Sequence, residues 1–159
     1  MVSFGWVLTA MGEPFTFREL NKQQFPLVNR FYKENGHKGK ARGGERVFTL
    51  TVNGSIQAAL RACPDADGYL LRGVWVAISQ RNQGLGSALL KNVLTVLSPK
   101  PCWCFPYGHL KAFYQRAGFS EPKATEVPTA INTRYQGYKV KQPGLLVMSH
   151  CTPQEANFS

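Results

Sequence analysis

The sequence has no apolar run long enough to cross a bilayer, which excludes an ordinary membrane-spanning helix. Its first ten residues are apolar but carry no positive charge, so we expect no signal peptide and a cytoplasmic protein. At 159 residues, with 43% hydrophobic and 18% charged residues, the chain has the size and composition of one globular domain. No repeat or linker-like tract divides it, and a single domain over residues 1–159 is predicted.

The four cysteines include no Cys-x-x-Cys pair, and the three histidines do not complete the spacing of a zinc site. No metal is therefore expected, and the cysteines are interpreted as reduced thiols. Cys102 and Cys104 alternate with Trp103, so on a strand the two thiols share one face. They form either a nucleophilic or redox pair or two small buried side chains, and the second hypothesis is favoured.

Acidic residues are scarce: nine Asp and Glu stand against nineteen Lys and Arg, for a formal net charge of +10. This balance favours an anionic partner, such as a phosphorylated cofactor, an acidic substrate or nucleic acid. Residues 35–46 combine Lys38, Lys40, Arg42 and Arg46 with four glycines, which predicts a flexible basic loop. The loop lines a site for an anionic group or is simply solvated.

The hydrophobic pattern predicts strands at 15–20, 47–52, 55–62, 69–78, 102–105 and 145–149, and helices at 23–34, 87–97 and 109–117. Asn53-Gly54 lies between two β-prone runs and is typical of a hairpin turn. The strand at 69–78 is apolar almost throughout, so burial on both faces is expected. This order of elements predicts an α/β fold in which helices pack on a mixed sheet.

Residues 81–87, RNQGLGS, lie between that apolar strand and an amphipathic helix. Free N–H groups at the start of a helix form an anion site, and Gly84 and Gly86 let a pyrophosphate approach the backbone closely. Arg81 can add charge-assisted hydrogen bonds. A turn without a ligand is the alternative. No Gly-Lys-Ser/Thr follows and a third glycine is absent, which excludes the P-loop and the dinucleotide fingerprint.

In this segment the sequence resembles the GNAT superfamily of N-acetyltransferases, whose signature Gln/Arg-x-x-Gly-x-Gly/Ala matches Arg81, Gly84 and Gly86. Residues 113–119, FYQRAGF, are similar to the family's Tyr-x-x-x-Gly-Phe segment, and the resemblance covers about residues 68–119. It implies a GNAT-like acyl-CoA N-acyltransferase fold, with a mixed, mostly antiparallel sheet flanked by helices. The sheet is expected to be splayed in the middle, between the strands at 69–78 and 101–105.

The resemblance also implies an enzyme that uses acetyl-CoA as co-substrate and transfers the acetyl group directly to a primary amine. The backbone of the strand would pair with the pantetheine arm, and amides of the loop would hold the pyrophosphate. The implied cofactor-binding residues are Val74, Trp75, Val76, Arg81, Asn82, Gln83, Gly84, Leu85, Gly86 and Ser87. Tyr114 would be the general acid that protonates the leaving thiolate. The alternative for Tyr114 is packing on the sheet between Phe113 and Phe119.

Two features depart from the family pattern. Tyr107 stands where many members have an Asn that contacts the cofactor arm, and the strand at 69–78 has no carboxylate to serve as general base. The base is therefore unassigned, and the candidates are Glu34, Glu45, His37, His109 and a chain of water molecules.

A second hypothesis is a non-catalytic module that keeps the acyl-CoA pocket and senses the ligand or binds RNA. Small-molecule and protein amines both stay open as acceptors. The basic loop favours an acceptor with an anionic group beside its amine. Nucleic acid is a less favoured partner, no membrane partner is expected, and the oligomeric state is not predicted.

Overall fold

The computed structural model describes residues 3–8 and 14–151. Its strands are β1 (Ser3–Leu8), β2 (Pro14–Leu20), β3 (Arg46–Val52), β4 (Ser55–Asp65), β5 (Gly68–Val76), β6 (Cys102–Cys104) and β7 (Met148–His150). Its α-helices are α1 (Phe25–Glu34), α2 (Leu85–Leu97), α3 (Lys111–Arg116) and α4 (Thr129–Lys141). Hydrogen-bonded strands follow the chain order from β1 to β7. This mixed, mostly antiparallel sheet with flanking helices confirms the predicted fold class.

The chain divides into two compact units. The first contains the described residues up to Cys63 together with Leu71–Thr95, and the second contains Pro64–Leu70 and the described residues from Val96 to Cys151. Within residues 3–8 and 14–151, no helix is both long and apolar enough to cross a membrane.

The first unit is built on antiparallel ladders that join β1 to β2, β2 to β3 and β3 to β4. The turn between β3 and β4 is the predicted Asn53-Gly54 pair, with φ angles of +50° and +78°. A two-residue hairpin of this kind requires positive φ at both positions, which Asn and Gly tolerate best. The hairpin prediction is confirmed.

Helix α1 packs its apolar side on this part of the sheet. Pro26 lies in its first turn, as predicted, where the missing N–H would have no helical partner in any case. The buried residues of α1 are Phe25, Val28, Phe31 and Tyr32. They pack in one cluster with residues of β2, β3 and β4, against which Trp75 also lies.

Strand β5 is hydrogen-bonded to β6 only near its beginning. The parallel ladder between the two strands has two pairs, Tyr69 with Cys102 and Leu70 with Trp103. Leu70 and Leu71 are buried, but residues 72–76 are only half-buried. The expectation of burial on both faces is therefore wrong for this second half, because the strand continues beyond the end of the ladder. An early end of this ladder is what the predicted splay requires.

In the second unit, β6 also pairs antiparallel with β7. The last strand begins at Met148 rather than Leu145, which makes only an isolated bridge to Tyr107.

Two elements of the structure, β1 and α4, are not predicted from the sequence. Helix α4 is polar and buries only Ile131 and Tyr135, so its apolar face is narrow. Ile131, Tyr135 and Tyr138 at helical spacing are the signal that could have revealed it.

Candidate functional site

The loop between β5 and α2 has the backbone geometry of an anion site. Asn82 and Gly84 have φ angles of +65° and +82°, and alternating backbone handedness of this kind turns successive N–H groups toward one concave side. Apart from its two chain neighbours, no described residue has an atom within 4 Å of the position that a Cβ on Gly84 would take. The loop therefore leaves open space beside its backbone.

Helix α2 adds its first turn to this loop. The N–H of Ala88 donates to the carbonyl of Gly84 (3.0 Å), which is the first helical hydrogen bond. The N–H groups of the residues between them, Leu85 to Ser87, consequently have no helical partner. No acidic residue lies in this first turn to compete for the positive end of the helix dipole. These features fit a pyrophosphate group.

Arg81 faces the strand as well as the loop. Its Nε donates to the carbonyl of Val76 (3.2 Å), and its guanidinium lies 5.3 Å from the ring centre of Trp75. The exposed guanidinium carries further donors. Arg81 thus links the end of β5 to the loop and puts a positive charge between them.

The half-buried segment of β5 is tied to the end of α1. The indole N–H of Trp75 donates to the carbonyl of Asn35 (2.7 Å). The side-chain oxygen of Asn35 accepts from the N–H of Ile78 (3.0 Å). Two residues before Trp75 on the strand, the Tyr32 hydroxyl donates to the carbonyl of Gly73 (2.8 Å). These bonds attach the part of β5 that contains the predicted cofactor residues to the end of α1.

A buried charge lies beneath this segment. Arg61 is only 5% exposed, and its Nη1 donates to the carbonyl of Lys40 (2.6 Å) and lies 3.6 Å from a carboxylate oxygen of Glu45. Its Nε is buried with no hydrogen-bond partner among the described residues. Burial raises the pKa of Tyr32, an effect that the nearby Arg61 partly opposes.

His37 is an uncharged side chain close to Tyr32 and Trp75. Its ring lies between those of Tyr32 (4.5 Å) and Trp75 (4.7 Å), and its buried Nε2 has no hydrogen-bond partner within the described part of the chain. Burial, together with the positive charges of Arg61 and Arg72, lowers the pKa of His37 to about 4. The imidazole is therefore neutral near pH 7.

The other proposed bases are engaged or exposed. The Glu45 carboxylate accepts from the N–H of Arg42 (2.7 Å) and the thiol of Cys63 (2.8 Å). Glu34 is exposed and paired with Arg30 (2.9 Å). His109 is exposed and stacks on Tyr107 at 6.0 Å.

Tyr114 lies in α3, in the second unit, whereas all predicted cofactor residues lie in the first. Its ring meets those of Phe113 (5.0 Å) and Phe119 (5.5 Å) edge to face. Burial, and then the neighbouring Cys104, raise the pKa of Tyr114, so the phenol holds its proton at neutral pH. This environment is compatible with a proton donor and with simple aromatic packing.

Tyr107, at the family's Asn position, is 41% exposed. It immediately precedes the short helical turn that leads into α3. Its ring therefore covers surface rather than core.

All four cysteines are free. Cys102 and Cys104 are buried, and burial raises the pKa of Cys102 to about 12 and that of Cys104 well above its ordinary value. Only the thiolate is a good nucleophile, so the raised pKa values favour the hypothesis of two small buried side chains. Among the described residues, no group of three or more His, Cys, Asp and Glu could hold a metal ion.

A family model described as an acetyltransferase (GNAT) domain matches residues 43–121 of the chain, the stretch that includes β5, the loop and α3. The chain belongs to the GNAT superfamily. Membership supports acetyl transfer from acetyl-CoA to an amine. At the level of sequence, no curated protein matches the chain.

Solved structures of GNAT proteins share the fold. The ribosomal-protein-S18-alanine N-acetyltransferase from Escherichia coli superposes with a TM-score of 0.65 at 19% identity, over 91% of this chain and 99% of that one. The GNAT domain of S. lividans PAT gives 0.66 at 12% identity, over 91% and 94%. N-acetylglutamate synthase from Neisseria gonorrhoeae, complexed with coenzyme A and N-acetyl-glutamate, gives 0.63 at 15% identity, over 86% and 34%.

Proposed function

We propose that this GNAT protein transfers the acetyl group of acetyl-CoA directly to a primary amine. The observation that carries the proposal is the open loop before α2, with positive φ at Asn82 and Gly84 and free N–H groups in the first helical turn. Backbone N–H groups from Gln83 to Ser87 would donate hydrogen bonds to the pyrophosphate there, and Arg81 would add charge.

The backbone of Val74, Trp75 and Val76 would pair with the pantetheine arm. Support comes from the end of the ladder between β5 and β6 at Leu70, because the strand continues for six residues to Val76. An extended ligand gains main-chain hydrogen bonds by lying along such an edge. The Val76 carbonyl already accepts from Arg81, so Val74 and Trp75 would supply most of this pairing.

In the proposed reaction the amine nitrogen attacks the thioester carbon, the C–N bond forms and the C–S bond breaks with its electron pair on sulfur. Tyr114 gives its hydroxyl proton to that sulfur, and water then reprotonates the phenolate. The raised pKa of Tyr114 keeps the phenol protonated when the thiolate forms, although it also makes the phenol a weaker acid. Proton transfer to a thiolate whose thiol has a pKa of about 8.5 is uphill, so the Tyr114 hydroxyl first donates a hydrogen bond to the sulfur, and the transfer is completed as water reprotonates the phenolate.

The amine must lose a proton, and we assign that proton to water rather than to a side chain. Glu45 already accepts two hydrogen bonds, and His37 has a pKa of about 4 and a buried Nε2. Glu34 is paired with Arg30 at the surface, and His109 is exposed and stacks on Tyr107. None of these side chains is placed to take the proton of the amine, so the proposal uses water as the base.

The test is release of free coenzyme A thiol from acetyl-CoA in the presence of a panel of amines, with mass spectrometry of the acetylated product. Amino acids and peptides with free amino termini belong in the panel, since similar folds include a ribosomal-protein-S18-alanine N-acetyltransferase and N-acetylglutamate synthase. Polyamines and aminoglycosides complete it. Saturable acetyl-CoA binding without amine-dependent thiol release would instead support the ligand-sensing module, and a shift of RNA on a gel would support its RNA-binding form.

A further inference from the structure

Strand β5 has a local backbone irregularity at Gly73, which we call the Gly73 turn. Its φ angle of +61° lies in the left-handed region that glycine adopts more readily than other residues. A glycine inside a strand often marks a bulge or a close approach of other groups. The turn comes immediately before Val74, the first residue of the segment assigned to the pantetheine arm.

The carbonyl of Gly73 is held by a side chain. It accepts a hydrogen bond from the hydroxyl of Tyr32 at 2.8 Å, although the two residues are 41 positions apart. Tyr32 is fully buried near the end of α1, so its ring has little freedom to move. The hydrogen bond therefore fixes the direction of the peptide group that follows Gly73.

The space around Gly73 is closed on the side of this hydroxyl. A Cβ at Gly73 would lie 2.8 Å from the Tyr32 oxygen and 2.9 Å from Nε of Arg61. Arg61 cannot easily retreat, because its guanidinium is buried and bound to the carbonyl of Lys40. The turn is thus enclosed by a hydroxyl and a guanidinium that fit only a glycine.

We propose that Tyr32 is a positioning residue that holds the turn at Gly73, so that the backbone of residues 74–76 is presented to the pantetheine arm. The assignment rests on the proposed function, because it concerns the binding of acetyl-CoA. Tyr32 acts through the strand and does not itself touch the reacting atoms. Asn35 assists from the same helix end through its bonds to Trp75 and Ile78.

The variant Tyr32→Phe keeps the ring and removes the hydroxyl. Two ligands distinguish a loss of backbone positioning at residues 74–76 from a general loss of structure. They are acetyl-CoA and 3′-phospho-ADP, which has the same pyrophosphate but no pantetheine arm. By titration calorimetry, the variant should bind acetyl-CoA up to about tenfold more weakly, because the order that this hydrogen bond gives to the free protein would then have to be gained on binding. Its affinity for 3′-phospho-ADP should stay within about twofold of the unaltered protein, because the loop at Arg81–Ser87 is unchanged.

Tyr135→Phe is the matched control. Its buried hydroxyl also donates to a backbone carbonyl, that of Leu145, at 2.8 Å, but in the second unit and outside β5. This variant should bind both ligands as the unaltered protein does. Equal weakening of both ligands in Tyr32→Phe, or no weakening of either, would overturn the assignment. If the unaltered protein binds neither ligand, the proposed function falls and the assignment falls with it.

A second pair of variants tests the turn itself if Tyr32→Phe does not fold. Gly73→Ala and Gly54→Ala both put a side chain at positive φ, but only Gly73 has close neighbours, since nothing lies within 4 Å of a Cβ at Gly54. Gly73→Ala should weaken acetyl-CoA binding at least tenfold and 3′-phospho-ADP binding little, whereas Gly54→Ala should change neither. The same affinity for acetyl-CoA in both variants would contradict the role of the turn.

Discussion

Tyr32 in the first unit and Tyr114 in the second are both buried tyrosines whose pKa is raised by burial. Their surroundings differ. The Tyr32 hydroxyl donates to the Gly73 carbonyl beside a buried guanidinium, whereas Tyr114 contacts two aromatic rings and Cys104 acts electrostatically on its pKa. Similar burial therefore accompanies the two different roles that we propose: the Tyr32 hydroxyl holds a backbone carbonyl, and the Tyr114 hydroxyl donates a proton.

The difference extends to the units around them. The first unit holds the open loop, the buried Arg61 and the basic segment after α1, which suits it to an anionic cofactor. In the second unit, burial raises the pKa of the Tyr114 phenol, and Cys104 raises it further. We therefore expect changes in the first unit to alter binding and changes at Tyr114 to alter turnover.

The largest expected effect is loss of cofactor binding in Gly84→Asp. A ligand at 100 times its Kd stabilises a protein by about 2.7 kcal/mol, or roughly 5–10 °C in Tm for a chain of this size. The variant should show no such shift with acetyl-CoA, because a carboxylate would occupy the open space where phosphate binds. Thermal melts measure this directly.

Gly54→Asp is the control for Gly84→Asp, since both glycines have positive φ and no atom within 4 Å of a Cβ. It should keep the full acetyl-CoA shift despite the same backbone strain and the same added charge. A normal acetyl-CoA shift in Gly84→Asp would mean that the loop before α2 does not bind the phosphate groups of the cofactor.

The next effect concerns turnover. Tyr114→Phe keeps the ring contacts with Phe113 and Phe119 but deletes the proton donor, so kcat should fall by about 10²-fold with the Kd of acetyl-CoA unchanged. Steady-state kinetics and titration calorimetry give the two values, with Tyr135→Phe as a variant in which neither should change. Parallel loss of kcat and affinity would mean that Tyr114 is a packing residue, and the contrast with Tyr32 would disappear.

Local signals made much of this arrangement predictable. Asn53-Gly54, Pro26 and the segment Arg81–Ser87 each carry backbone chemistry that depends on neighbouring residues only, and the fold places them as expected. The contact of Tyr32 with Gly73 joins residues far apart in sequence, so no local pattern contains it. The one sign in the sequence is Gly73 itself, which together with Arg72 interrupts the apolar residues of the strand.

The half-burial of β5 was hidden for a related reason. An apolar strand is equally compatible with two neighbours and with an edge that a ligand covers, and only the end of the ladder at Leu70 distinguishes them. Helix α4 was missed because Ile131 and Tyr135 are its only buried residues, too few for the periodicity to stand out.

A smaller effect is expected in the choice of acceptor. Lys38, Lys40 and Arg42 are exposed after α1, and an amine with a neighbouring anionic group would be attracted to them. Replacing all three by Glu should lower kcat/KM for such amines by roughly tenfold, with the loss shrinking as salt rises. As a control of equal charge change, Lys100, Lys123 and Lys141 in the second unit should leave kcat/KM unchanged when replaced by Glu. Preference of the unaltered protein for spermidine or an aminoglycoside would contradict this role of the basic loop.

The smallest effect concerns the pH dependence of stability in the first unit. The pKa of His37 is lowered to about 4 in the folded protein, against about 6.5 in an unfolded chain. Between these values the unfolded chain binds more protons, so the free energy of unfolding increases with pH across this window and is lost as the pH falls from about 6.5 toward 4. His37→Gln removes the titrating group and should flatten the fall in Tm between pH 7.5 and pH 5, whatever its effect at pH 7.5.

His150, whose pKa is also lowered by burial, should keep part of the slope in that variant. The double variant His37→Gln with His150→Gln should remove more of the slope. An identical slope in His37→Gln and the unaltered protein would mean that the imidazole between Tyr32 and Trp75 is reached by solvent and is not held neutral by the buried charge.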